Sequence, residues 1–212
     1  LVSAVSTGKI GELSRSVVLM DKHGVYTEKF VQLMGVKYYM HKVSDGRFPW
    51  AYPFWKYPYF NAIWRDQTYE IFENSDAFPR AYLVSSYEKI TDSSQIIDRL
   101  FSDTFNRRDS VIVEEEPDTQ PGPGDGQVII DSYSPQQIIF HVSSTAPKLL
   151  FVSDVYDIGW RAYVNTKRSK IYRADYALRA VSVPEGDSTV IMRYEPDSMG
   201  KGGYISLAAI LV

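Results

Sequence analysis

Trp160 heads the alternating segment Trp160-Arg161-Ala162-Tyr163-Val164, directly after Gly159. An indole at the start of a strand either packs into a core or offers a flat face on which a sugar ring stacks. Tyr163, Tyr172, Arg173 and Tyr176 lie close by in sequence and would supply hydrogen bonds to such a ligand. Arg80, which follows Pro79, reads as a surface or capping residue or as a bidentate clamp for phosphate or carboxylate. Trp50 and Trp55, in an aromatic-rich stretch, complete the candidate binding residues.

Bond-breaking chemistry finds no support in the sequence, and no catalytic residue is assigned. His23, His41 and His141 are isolated, without the HExxH or HxH spacing of metal sites. The absence of cysteine removes disulfides, thiolate ligands and thiol nucleophiles together. Hydrolase patterns such as GxSxG and SxxK in a fitting context are missing. Asp154 and Asp157 lie three apart across a turn, where carboxylates ordinarily shape the turn itself. The run from Glu114 to Gly126 is acidic and rich in proline and glycine; it lacks the EF-hand spacing and reads as a flexible solvated loop. No metal and no cofactor is expected. A net charge of -3 gives no general attraction to nucleic acid, so no nucleic-acid partner is expected.

Short runs that alternate apolar with polar residues would position these side chains, because successive strand residues face opposite sides. They run Leu149 to Asp154, Trp160 to Val164, Lys170 to Arg173, Arg179 to Val183 and Thr189 to Tyr194, with turns such as Asn165-Thr166 and Pro184-Glu185-Gly186-Asp187 between them. Upstream, Thr68 to Phe72, Arg80 to Ser85, Ser110 to Val113, Val128 to Ser132 and Gln137 to Ser143 read as further strands, the last two as a hairpin. The expectation is a mainly β protein: an antiparallel β-sandwich of jelly-roll or immunoglobulin type, with a small N-terminal α/β subdomain and one extra helix.

Toward the N-terminus, Ser3 to Ser16 is polar and weakly periodic, and Val17 to Met20 reads as a short buried strand or helical turn. Thr27 is expected to cap a short amphipathic helix that Gly35 stops, before a strand from Val36 to His41. Eleven aromatics fall between Tyr38 and Trp64, interrupted by Pro49, Pro53 and Pro58. Rings on so irregular a segment serve as a buried mini-core, at a membrane interface, or against sugars. The Thr91 to Ser94 segment caps an amphipathic helix through Phe105, and Arg107-Arg108 complement its dipole.

The strand-rich half carries a family resemblance. Gly159-Trp160-Arg161-Ala162-Tyr163-Val164, Val183-Pro184-Glu185-Gly186, Val190 and Tyr194-Glu195-Pro196 resemble the last external segment of YfhO-type bacterial membrane proteins. Asn165-Thr166 stands where that pattern has Asp-Gly, and Ser188 where it has His. Tyr69 to Asn74 with Phe78 to Ala81, and Leu33 to Tyr39, resemble upstream segments of the family. The resemblance implies an extracytoplasmic part of a polytopic cell-membrane protein similar to GT-C glycosyltransferases, which transfer a sugar from a polyprenyl-phosphate carrier. No segment here matches their catalytic loop, so this part would support sugar or acceptor recognition in cell-envelope glycan modification without catalysing transfer. Its implied partners are its own transmembrane domain, a saccharide or polyprenyl-linked sugar, and a membrane surface. The alternative is a structural or protein-interaction sandwich that docks on its membrane domain.

Three parts are expected: an N-terminal α/β piece with the aromatic loop over 1–66, the sandwich over 67–200, and 201–212. The last contains the apolar run Tyr204 to Val212, nine residues against about twenty for a membrane span. It reads as a final core element or as the entrance to a transmembrane helix, and the start of the chain, lacking a basic region and long apolar core, reads as an interior cut.

Overall fold

The computed structural model of the chain describes residues 1–10, 23–43 and 57–198. Expectations for Val17 to Met20, Trp50, Trp55 and the apolar run at Tyr204 to Val212 lie outside the described residues. The chain divides into two compact units, one of Leu1–Arg80 with Asp92–Arg108, the other of Ala81–Thr91 with Asp109–Val212.

In the first unit, α1 (Val2–Thr7) overlaps the start of the polar, weakly periodic segment Ser3 to Ser16, with Ala4 and Val5 fully buried. In α2 (Thr27–Leu33), Thr27 is a buried first residue rather than the cap; Tyr26 holds the cap position and no side chain caps the helix. Gly35 follows in a left-handed conformation at φ +63, and a Cβ there would stand 2.8 Å from the Phe78 carbonyl oxygen, so backbone and space both require glycine. Helix α3 (Ser93–Leu100) begins as expected, with the Asp92 carboxylate accepting the Gln95 amide hydrogen at 2.9 Å. It ends five residues before Phe105, where Arg107 Nη1 donates to the Leu100 carbonyl at 2.8 Å and closes the exposed helix end. Phe30, Val31, Leu33, Ile96, Ile97, Leu100 and Phe101 are buried, and the Tyr26 and Phe101 rings stack at 4.9 Å.

Strands β1 (Tyr38–Lys42), β2 (Phe60–Arg65) and β3 (Tyr69–Asn74) form an antiparallel sheet in the order β1-β3-β2. The division expected between 66 and 67 therefore runs through a hairpin, because β3 takes its hydrogen bonds from β1 and β2. On one side of this sheet Tyr39 stacks on Phe60 at 6.2 Å, while Tyr59 meets Tyr57 at 5.4 Å and Phe60 at 5.3 Å. Tyr39, Tyr57, Tyr59 and Phe60 thus form an aromatic cluster, while Tyr38 and Trp64 of the same segment are exposed. Burial pushes the Tyr39 and Tyr57 hydroxyls up to about 12.

The second unit is the sandwich. It comprises β4 (Ala81–Val84), β5 (Ser86–Lys89), β6 (Ser110–Val113), β7 (Gly126–Tyr133), β8 (Gln137–Ser144), β9 (Lys148–Val152), β10 (Trp160–Val164), β11 (Lys167–Ser169), β12 (Ile171–Ala174), β13 (Leu178–Val183) and β14 (Gly186–Tyr194). One sheet has five strands in the order β11-β10-β14-β8-β7, the other six in the order β4-β9-β13-β12-β6-β5. Every pair is antiparallel except β5 with β6, which is parallel. Alternation places Ile138, Phe140, Val142, Ala162, Val190 and Met192 of the first sheet against Ala81, Leu150, Val152, Val181 and Val183 of the second in one core. The chain crosses between sheets at Lys170, between β11 and β12.

The acidic loop after β6 is irregular, as its composition requires, yet it is held at several points. Asp118 N–H donates to the hydroxyl of the fully buried Tyr172 at 2.7 Å, Gly122 N–H donates to the Pro147 carbonyl at 2.9 Å, and Glu115 pairs with Lys170 at 2.7 Å. The expectation of a flexible loop is corrected accordingly.

The two residues of the β10–β11 turn both have positive φ, Asn165 at 49° and Thr166 at 71°. Asparagine tolerates this geometry, while a β-branched side chain is strained there by about 1–2 kcal/mol. Thr166→Gly is expected to raise the unfolding free energy by about 1 kcal/mol, read as a higher urea midpoint with unchanged slope. In the first unit, the native state holds the Tyr39 and Tyr57 protons more tightly than the unfolded chain, whose phenols titrate near 10. Stability is therefore complete below pH 10 and falls as pH rises through 10 toward 12. A denaturation series followed alongside the phenolate absorbance is expected to show unfolding and tyrosine ionisation advancing together.

Candidate functional site

A cleft of about 460 Å³ opens in the second unit where the chain passes from one sheet to the other. Trp160 and Ala162 of β10, Arg168 of β11 and Ile171 of β12 line it, together with the crossing residue Lys170 and Tyr156, Asp157 and Glu115 from the flanking loops. The geometry around Trp160 starts from its neighbours in sequence. Asp157 Oδ1 accepts the Gly159 N–H at 2.7 Å, and the Trp160 amide donates to the Asp157 carbonyl at 3.2 Å, forming the turn that the sequence assigns to Asp157. Gly159 has an ordinary backbone; its lack of a side chain matters because a Cβ would stand 2.6 Å from the Tyr194 ring. That ring lies 5.5 Å from the Trp160 indole.

Beneath the indole sits a charge that the alternation of polar and apolar residues does not single out. Arg179 of β13 faces the space between the sheets, with its guanidinium carbon 4.3 Å from the centre of the Trp160 ring. Its Nη2 pairs with Asp154 Oδ2 at 3.2 Å, the two side chains being only 4% and 12% exposed. Tyr133, at the end of β7, donates its hydroxyl to the same carboxylate at 3.0 Å. Burial pulls the Arg179 pKa down while the Asp154 charge opposes that shift, and an arginine stays charged throughout. Arg179 Nη1 is buried with no hydrogen-bond partner among the described residues, which leaves the indole face as its compensation. Arg179 is the one charged residue of β13, all six residues of which are buried, and a charge inside a buried strand demands a partner.

Of the candidate binding residues that lie among the described residues, Trp160 alone lines this cleft. Tyr163 lies on the opposite face of β10, because an odd separation along a strand reverses the side, and its hydroxyl donates to Glu195 Oε2 at 3.0 Å. Tyr172 is fully buried with its hydroxyl holding the acidic loop, so it packs rather than binds. Arg173 donates to the Tyr176 carbonyl at 2.7 Å and pairs with Glu114 at 3.4 Å, which ties it to its own turn. Arg80 belongs to the first unit, where it is exposed. Trp50 and Trp55 lie outside the described residues.

The cleft offers one aromatic wall and alternating charges. Arg161 pairs with Asp197 at 2.9 Å and Lys170 with Glu115 at 2.7 Å, while Arg168 makes no ion pair among the described residues. Both carboxylates that line it are engaged, Asp157 by the Gly159 amide and Glu115 by Lys170. Among the described residues no three His, Asp or Glu side chains gather as a metal would need. Such a surface can stack a ring and bind hydroxyl or anionic groups.

Residues 125–206, which hold β7 through β14, match the family Bacterial membrane protein YfhO. The Gly159-Trp160 and Tyr194-Glu195-Pro196 motifs fall inside this match and meet in space through the Tyr194 ring. No curated protein and no solved structure matches the chain. No helix among the described residues is long and apolar enough to cross a membrane.

Replacing Asp154 with asparagine would leave a buried guanidinium without its counter-charge, and a loss of about 3–5 kcal/mol is expected. Arg179→Met combined with Asp154→Leu removes both charges and is expected to cost far less than Asp154→Asn alone. Chemical denaturation of the two variants measures the difference.

Proposed function

We propose that the chain is an extracytoplasmic portion of a polytopic membrane protein similar to GT-C glycosyltransferases, and that its cleft recognises a saccharide or a polyprenyl-linked sugar in cell-envelope glycan modification. The observation that carries this reading is the Trp160 indole forming a wall of a cleft of about 460 Å³ whose other lining residues include the charged Glu115, Asp157, Arg161, Arg168 and Lys170. Ligand sites commonly span about 300–1,000 Å³, and an aromatic face with a few convergent polar groups suits a ring that is apolar on its faces and hydroxylated on its rim. Arg161, Arg168 and Lys170 would donate to sugar hydroxyls or to a phosphate, and Asp157 and Glu115 would accept.

Recognition without transfer fits the state of the two carboxylates. A glycosidic reaction requires one free acid and one free base or nucleophile facing each other across the sugar. Here Asp157 holds its turn and Glu115 holds Lys170. Chemistry would then fall to other parts of the polypeptide, with the family match at residues 125–206 supporting membrane association of the whole.

A glycan array probed with the intact chain tests this reading. Binding to a defined set of envelope oligosaccharides is expected, and Trp160→Phe is expected to weaken it about tenfold, equivalent to about 1.4 kcal/mol, with a circular dichroism melt run alongside because the same ring also covers Arg179. Arg168→Gln, which disturbs no ion pair, is expected to weaken it less. Absence of binding to every glycan, or binding indifferent to both substitutions, would sink the reading.

A further inference from the structure

The three-stranded sheet of the first unit has two unlike faces. On one, the cross-strand partners Tyr39, Phe72 and Ala62 lie alongside the Phe60 ring of the aromatic cluster. On the other, Met40, Ile71 and Trp64 stand directly opposite one another across β1, β3 and β2, forming one apolar row. Tyr38 and Lys42 flank Met40 on that face, and Tyr69 lies opposite Lys42. Ile63 is displaced into the bulge where the β2 register shifts. Four of these side chains are largely open to solvent: Tyr38 is 59%, Met40 60%, Ile63 52% and Trp64 48% exposed. A sheet that already buries aromatics on one side ordinarily presents polar residues on the other. An outward apolar row does nothing for the fold.

We propose that this face seats the first unit on the surface of a phospholipid bilayer. Tryptophan and tyrosine carry an apolar ring with a polar edge and favour the headgroup level, and the unbranched methionine side chain adapts to disordered acyl chains. Lys42 shares the face and makes no ion pair among the described residues, while Glu73, opposite Tyr38 on the same face, is neutralised by Lys37 at 3.0 Å. Cations at the rim of an apolar row complement anionic lipid headgroups, whereas lysine is depleted from protein–protein interfaces. Size points the same way. The exposed parts of Tyr38, Met40 and Trp64 amount to roughly 300–400 Å², taking about 150–250 Å² for a whole aromatic side chain, which is short of the about 800 Å² that each partner of a stable protein complex contributes. A few inserted rings suffice for reversible membrane partitioning. A match to a family of bacterial membrane proteins further along the same polypeptide makes a bilayer the surface at hand.

The face is independent of the saccharide cleft, and its test reads lipid alone. The 212-residue chain is mixed with vesicles of phosphatidylcholine and phosphatidylglycerol in equal parts, and with vesicles of phosphatidylcholine only, and sedimented. Binding to the mixed vesicles is expected. Met40→Ser with Trp64→Ser is expected to weaken it by about tenfold or more, since both side chains lose their apolar contact. Lys42→Gln is expected to weaken it about fivefold on the mixed vesicles and to leave binding to phosphatidylcholine unchanged. Circular dichroism melts verify the fold, and if the double variant melts early, Lys42→Gln, at a half-buried position with no ion pair among the described residues, carries the test. The proposal is overturned by failure to bind either vesicle, by binding that survives both variants, or by a wild-type oligomer that the double variant dissociates, which would make the face a protein interface.

Discussion

Arg179 projects from one sheet of the sandwich into the space it shares with the other, and a charge there persists only while Asp154 and Trp160 remain where they are. The three come from different strands or loops: β13, the segment after β9 and the first residue of β10. Tyr133 from β7 holds the carboxylate from the far side. One buried cation therefore fixes the relative position of both sheets at this end of the core. An apolar plug would fill the same volume without directional demands, so the polar cluster specifies arrangement as well as stability.

Trp160 consequently has two roles. One surface of its indole covers the Arg179 guanidinium, and another forms a wall of the cleft. Packing in the core and lining an open cleft, which appear as alternatives when an indole is considered in isolation, coexist here because the ring lies against a buried charge and also borders an open space. The Tyr194 ring, admitted by the missing Cβ of Gly159, sets the orientation that makes this possible. A site whose aromatic wall is braced from behind is preorganised, and binding there would forfeit little side-chain entropy.

In the first unit the aromatic residues divide by the pleat. Tyr39 and Phe60 turn inward and stack, while Tyr38 and Trp64, on the same two strands, turn outward with Met40. A bulge at Ile63 changes which residues of β2 face which side, so the periodicity of the sequence alone does not assign them. The second unit shows the opposite case, in which β9 and β13 are buried along their whole length.

The sequence by itself determined the mainly β architecture, the start and end of β10 at Trp160 and Val164, the β7–β8 hairpin and a cap for α3 within Thr91 to Ser94, because alternation, turn residues and capping chemistry are local in the chain. It also carried the family resemblance over the segment that the match covers. Tertiary structure decided the rest. The parallel β5–β6 pair, the hairpin that breaks the expected boundary, the burial of Tyr172 beneath the acidic loop and the separation of Tyr163 from Trp160 all depend on which strands become neighbours. The partnership of Arg179 with Asp154 and Trp160 spans 25 and 19 positions of chain respectively, and no local rule pairs side chains at such separations; only the packing of one sheet over the other brings them together.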